Sequence, residues 1–83
     1  MHVEATPQYT LDLLDTGTTA RVVRVEGQDT LAERLVDHGF WPGTEVSVLR
    51  RSAFGGPVAY RLRGFRLALR RSEAARIVIA LDN

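Results

Sequence analysis

Apolar and polar residues alternate along much of this chain. Val46 and Val48 sit between polar neighbours. Val58, Tyr60 and Leu62 alternate with Ala59, Arg61 and Arg63, and Phe65, Leu67 and Leu69 alternate with Arg66, Ala68 and Arg70. A period of two places one face of each run on a core and the other in water, the mark of a half-buried strand. The pattern predicts strands over 19–26, 44–51 and 76–81, with Ile77 and Ile79 pointing inward, and a hairpin joined at Gly64. One stretch follows a longer period. Leu31 and Leu35 stand four apart with Ala32 and Val36 beside them, which makes a single helical face. Asp29 or Thr30 can cap its start, and Thr30 with Glu33 has the Thr-x-x-Glu spacing of a capping box. Gly39 suits the left-handed residue that ends a helix, and Pro42-Gly43 suits the centre of a type II turn. Two shorter helical turns are expected, one over 10–14 with Thr10 as cap and one over 72–75 with Ser72 as cap.

About five short strands, with one helix between the first two, define a mainly β domain. A small, strongly bent sheet closed into an SH3-like barrel is the simplest way to bury these alternating faces. With 83 residues the chain is one domain with a thin core. It divides into an arm over 1–9, which lacks periodicity and is expected to be flexible, and a single barrel domain over 10–83. Met1–Ala5 has no basic start and no apolar core, so no secretory signal is expected there. The longest apolar run near either end is Ile77–Leu81, against the roughly 20 residues a membrane helix needs.

Charge changes the picture more than composition does. Residues 1–49 carry three arginines against eight acids, a net −5, whereas residues 50–83 carry eight arginines against two acids, a net +6. Lysine is absent, so every cation is a planar fork suited to carboxylate or phosphate. Alternation assigns Arg61, Arg63, Arg66 and Arg70 to one outer, basic face, which could steer an acidic partner or simply keep the strand edges solvated. Arg50, Arg51 and Arg71 lie beside these strands. Tyr60 and Phe65 are assigned to the core, which leaves this face without the exposed aromatics that base stacking uses. With no cysteine, disulfides, thiolate metal sites and thiol catalysis are excluded. His2 and His38 are the only imidazoles and match no metal-ligand spacing. No nucleophile triad or phosphate loop is legible, and Gly55-Gly56-Pro57 is too short to be one. The expected function is therefore recognition, without catalysis and without a cofactor.

Taken in order, these residues resemble the FeoA family, small SH3-like proteins of the bacterial ferrous-iron transport system. The resemblance runs from Leu11-Asp12-Leu13-Leu14 and Gly17 through Arg34-Leu35 and Gly39, the Pro42-Gly43 turn, and Val46 and Val48. It closes with Leu67-Ala68-Leu69-Arg70, Ser72-Glu73-Ala74 and Ile77-Val78-Ile79. Gly56 departs from the family's usual Asp, and Phe40-Trp41 is bulkier than usual. The resemblance implies a cytoplasmic accessory protein that binds the cytoplasmic region of the FeoB transporter, recruited to the inner face of the membrane through that partner. It implies no direct membrane insertion and no nucleic acid, and leaves a weak homo-oligomer open. Contact is expected at Leu35, Gly39, Phe40, Trp41, Pro42 and Gly43, with no metal site assigned. Two alternatives stand beside this reading: a small nucleic-acid-binding barrel using the arginine face, and a divalent-metal-binding regulator.

Overall fold

The computed structural model describes residues 7–81. Six strands form one antiparallel sheet: β1 (Gln8–Thr10), β2 (Thr19–Val25), β3 (Glu45–Arg51), β4 (Val58–Leu62), β5 (Phe65–Leu69) and β6 (Ile77–Leu81). Their order across the sheet is β1-β6-β2-β3-β4-β5, which leaves β1 and β5 as edges. Helix α1 (Thr30–His38) lies between β2 and β3 in the chain, and a one-turn helix α2 (Arg71–Ala74) precedes β6. Single 3₁₀ turns occupy Leu11–Leu13 and Ala53–Gly55.

The five expected strands are present, and β1 is added to them. Gln8 and Tyr9, assigned from the sequence to the flexible arm, instead pair with Ala80 and Ile79 of β6. A three-residue strand is too short to show alternation, and its hydrogen bonds come from a strand some seventy residues away. Residues 1–6 of the predicted arm lie outside the described residues.

One core fills the bend of the sheet. Val22, Val46, Val48, Val58, Tyr60, Leu62, Leu69, Ile77 and Ile79 point into it from the strands, Leu35 from α1, Leu11 from the first 3₁₀ turn and Leu14 from just after it. Leu13, on the same turn, faces solvent. The alternating residues of β4 explain the packing: Val58, Tyr60 and Leu62 are buried, and Arg61 is exposed. β6 lies between β1 and β2 and has Ile77, Val78 and Ile79 all buried, so its sequence is a continuous apolar run. The Tyr60 hydroxyl has no hydrogen-bond partner among the described residues, and burial pushes its pKa up.

The start of α1 is fixed by tertiary structure as well as by its cap. Asp29 is the N-cap and accepts from the Ala32 N–H at 3.2 Å. Its carboxylate also pairs with Arg76, whose Nε donates to the Glu26 carbonyl at 3.0 Å. This pairing, from just before β6, selects Asp29 over Thr30. At α2 the expected cap moves: Arg70, not Ser72, holds the N-cap position, and the Glu73 carboxylate accepts its N–H at 2.7 Å. Thr10 makes no side-chain cap.

The Asp29 contacts give a pH-dependence. The hydrogen bond from Arg76, then that from the Ala32 N–H, holds the Asp29 carboxyl below its ordinary value. A depressed folded pKa adds stability above the unfolded value and loses it as pH falls through the folded one. The melting temperature should therefore fall as pH drops below about 4, and Asp29→Asn should flatten that fall while lowering stability at neutral pH. Thermal melts over a pH series check this; parallel curves for the two proteins would contradict it.

Candidate partner-binding surface

The surface forms where α1 ends. Gly39 adopts φ 112°, the left-handed conformation that only glycine reaches without strain. Its N–H donates to the Val36 carbonyl at 2.9 Å, and the Phe40 N–H donates to the Leu35 carbonyl at 3.3 Å. This is a Schellman ending, in which the residue after the glycine turns back onto the last buried apolar position of the helix, Leu35. Leu35 and Phe40 accordingly both enter the core, at 2% and 1% exposure. The chain then reverses over Trp41–Thr44, with the Thr44 N–H donating to the Trp41 carbonyl at 2.9 Å and Gly43 at φ 87°. Two bonds clamp the turn to β2: Gly43 N–H to the Val22 carbonyl at 2.7 Å, and Val22 N–H to the Thr44 carbonyl at 2.8 Å. Arg21 adds a third, from Nη1 to the Gly43 carbonyl at 3.1 Å.

Trp41 is left outside but held in place. It is 44% exposed, and its Nε1–H donates to the Val36 carbonyl at 2.7 Å, a second bond to an oxygen that also accepts from the Gly39 N–H. The Arg63 guanidinium lies over the ring, 4.0 Å from its centroid. Such a cation–π contact contributes about 0.5–1 kcal/mol at an exposed site. Arg63 and Gly64 form the two-residue turn between β4 and β5, both at positive φ. For Arg63, at φ 53°, that conformation costs about 1–2 kcal/mol, which the stack on Trp41 offsets in part. Beside Trp41 lies a shallow depression lined by Asp37, His38, Gly39, Arg63 and Phe65.

The expected site residues therefore divide. Trp41, Pro42 and Gly43 are exposed and contiguous. Gly39, Leu35 and Phe40 are buried and offer a partner no side-chain surface. That is a correction for the two apolar residues, and its cause is the Schellman geometry. The basic face also divides. Arg61 and Arg66 are directly opposite one another across β4 and β5, whereas Arg63 turns towards Trp41 and Arg70 stands beyond the end of β5. Arg51 is not a surface cation. A bulge at Leu49 shifts the register of β3, so Arg50 pairs with outward Ala59 and Arg51 with buried Val58. The Arg51 guanidinium then bonds the carbonyls of Asp12, at 3.2 Å, and of Leu14.

Three exposed aromatics escaped the sequence reading. Phe65 is on the inner side of β5 as alternation requires, yet is 43% exposed, because it lies at the end of an edge strand that the described residues cover only in part. Phe54 is fully exposed at φ 60° in the Ala53–Gly55 turn; a lone aromatic among small residues was its only signal. Tyr9 joins Leu13, Leu14, Ile79 and Leu81 around an apolar groove near β1. His38 is exposed in the last turn of α1, where a cation suits the helix dipole. His2 lies outside the described residues. Among the described residues no three of His, Cys, Asp and Glu are placed to hold a metal ion, and no helix is long and apolar enough to cross a membrane.

The FeoA domain model matches residues 9–81, which takes in all six strands but for Gln8. The chain belongs to the FeoA family. It is 37% identical over 71 residues, 86% of its length, to an Fe(2+) transport protein A/Fe(2+) transporter FeoB fusion protein of Porphyromonas gingivalis. The chain spans 8% of that relative's length. A zinc-complexed FeoA of Stenotrophomonas maltophilia superposes with a TM-score of 0.77 at 36% identity, covering 86% of this chain and 88% of the other. That protein is described as a procaryotic SH3 domain protein and a candidate ferrous iron transport activating factor. A FeoA-like protein from Clostridium acetobutylicum superposes with a TM-score of 0.85 at 28% identity, over 93% and 90% of the two chains. The FeoA fold of this chain is thus SH3-like and mainly β, and the family ties it to bacterial ferrous-iron transport.

Proposed function

We propose that this FeoA protein is a non-enzymatic accessory of ferrous-iron transport that binds the cytoplasmic region of a FeoB transporter. The observation that carries this reading is the fusion of the same domain to FeoB in a relative. A domain that functions within the transporter polypeptide in one organism can serve as a separate partner in another. The protein would then work at the inner face of the membrane, held there by its partner.

The contact surface is Trp41, Pro42 and Gly43, flanked by Val36 and Phe65. A half-exposed tryptophan held by a hydrogen bond and a guanidinium loses little freedom on binding, which is how interface anchors achieve large effects. Phe40 and Leu35 support the surface from beneath.

The test is titration of the purified protein against the soluble cytoplasmic domain of its cognate FeoB, with and without nucleotide. Trp41→Ala should weaken saturable binding about tenfold or more, the loss expected at an interface anchor. Its circular dichroism should match wild type, because the side chain contributes one hydrogen bond and one stack and no core volume. Unchanged affinity in Trp41→Ala would remove the surface from consideration. Absence of binding under every condition would count against the soluble domain as partner.

A further inference from the structure

We infer that the open edge of β5 is a docking site for an extended acidic protein segment, which joins the sheet as a seventh strand. This site adjoins the Trp41 surface, with which it shares Phe65, but does not depend on FeoB being the partner.

The backbone supplies the first half of the argument. β5 pairs with β4 alone. The two-residue turn Arg63-Gly64 makes Leu62 and Phe65 a hydrogen-bonded pair, and antiparallel alternation puts Tyr60–Leu67 and Val58–Leu69 in the same class. The N–H and C=O groups of Arg66 and Ala68 therefore point away from β4, towards the open side. Both residues are exposed, and no other described backbone group bonds them. An unpaired row of this kind is a template for another strand.

Charge supplies the second half. Arg66 and Arg61 face each other on the outer side of the sheet, a like-charge pair that destabilises the empty edge. Neither they nor Arg70 forms an ion pair among the described residues. The outward acid nearest in sheet register, Glu45, is already engaged by Arg21 at 3.5 Å. Pairing of two copies edge to edge would bring further arginines together, so a second copy is the wrong occupant. The strand that fits alternates in its own sequence. Its acidic residues lie beside Arg66 on the outer face. Its apolar residues lie beside Phe65 and Leu67 on the inner face, where Phe65 is uncovered.

The probe is a synthetic peptide of about eight residues that alternates Glu and Val, with a Lys/Val peptide as control. Saturable binding of the Glu/Val peptide alone is expected, with slowed amide exchange at Arg66 and Ala68 by NMR. Ala68→Pro removes an outward N–H that no ladder bond uses and fixes φ, a change that edge strands tolerate, and should abolish binding with little change in the melt. Arg66→Glu should weaken binding about tenfold or more. Trp41→Ala should leave the exchange protection at Arg66 and Ala68 in place, because the strand pairs through the β5 backbone and not through the indole, and this tells the site from the FeoB surface. No binding, or binding without protection of Arg66 and Ala68, would overturn the inference, and the wild-type exchange data decide this even if Ala68→Pro does not fold. Stronger binding to single-stranded RNA than to the acidic peptide would also overturn it, in favour of a nucleic-acid face.

Discussion

Phe40→Ala is expected to cost about 3–5 kcal/mol, the usual loss for emptying a buried phenylalanine site. Stabilities of roughly 0.05–0.15 kcal/mol per residue put a domain of this size at about 4–12 kcal/mol, so at the low end of that range the variant would sit at or below its unfolding midpoint. The cost is high because the ring is fully buried in the core; the backbone N–H that closes the helix end on the Leu35 carbonyl is kept by alanine. With an m-value of about 1 kcal/mol per molar urea, the midpoint should fall by about 3 M or more. A shift under about 1 M would mean that the core closes over the gap and that the helix end does not depend on this ring. Trp41→Ala, one residue on, should shift the same midpoint far less. The contrast separates the residue that builds the surface from the residue that presents it.

Two arginines fifteen positions apart should behave in opposite ways. Arg51→Ala is expected to cost about 2 kcal/mol, because it leaves the inward carbonyls of Asp12 and Leu14 without their charged donor. Arg66→Ala should stay within about 0.5 kcal/mol of wild type or gain slightly, since it relieves the charge opposite Arg61. Denaturant melts of the two variants in one buffer decide the matter. Equal costs would mean that Arg51 is a solvated cation like the others and that its bonds to the 3₁₀ turn carry no weight. The difference originates in the bulge at Leu49, which decides which of two adjacent arginines meets water and which meets the backbone.

The features legible in the sequence are those set by neighbours in the chain. Gly39 announces the end of α1 because a left-handed residue needs glycine, and Pro42-Gly43 announces the turn for a similar reason. Alternation in β4 identifies its buried side residue by residue. The illegible features depend on distant parts of the chain. β1 exists because β6 offers it partners. Asp29 prevails over Thr30 because Arg76 reaches it from the far end of the chain. Arg51 points inward because one extra residue in β3 shifts the period. Phe65 shows a different limit: alternation tells which side of a strand a residue occupies, not whether anything covers that side. The candidate surface was half legible for the same reason. Trp41, Pro42 and Gly43 are where the turn puts them, but only the Schellman ending shows that Leu35 and Phe40 are spent on the core.

The chain has one tryptophan, and it lies at the proposed contact under a guanidinium. All of the protein's indole fluorescence therefore comes from the proposed docking surface. A partner that covers the ring would dry it and displace or trap Arg63, and the emission should change in wavelength and intensity. The surface reports its own occupancy without a label, and a ligand bound elsewhere should leave that signal flat.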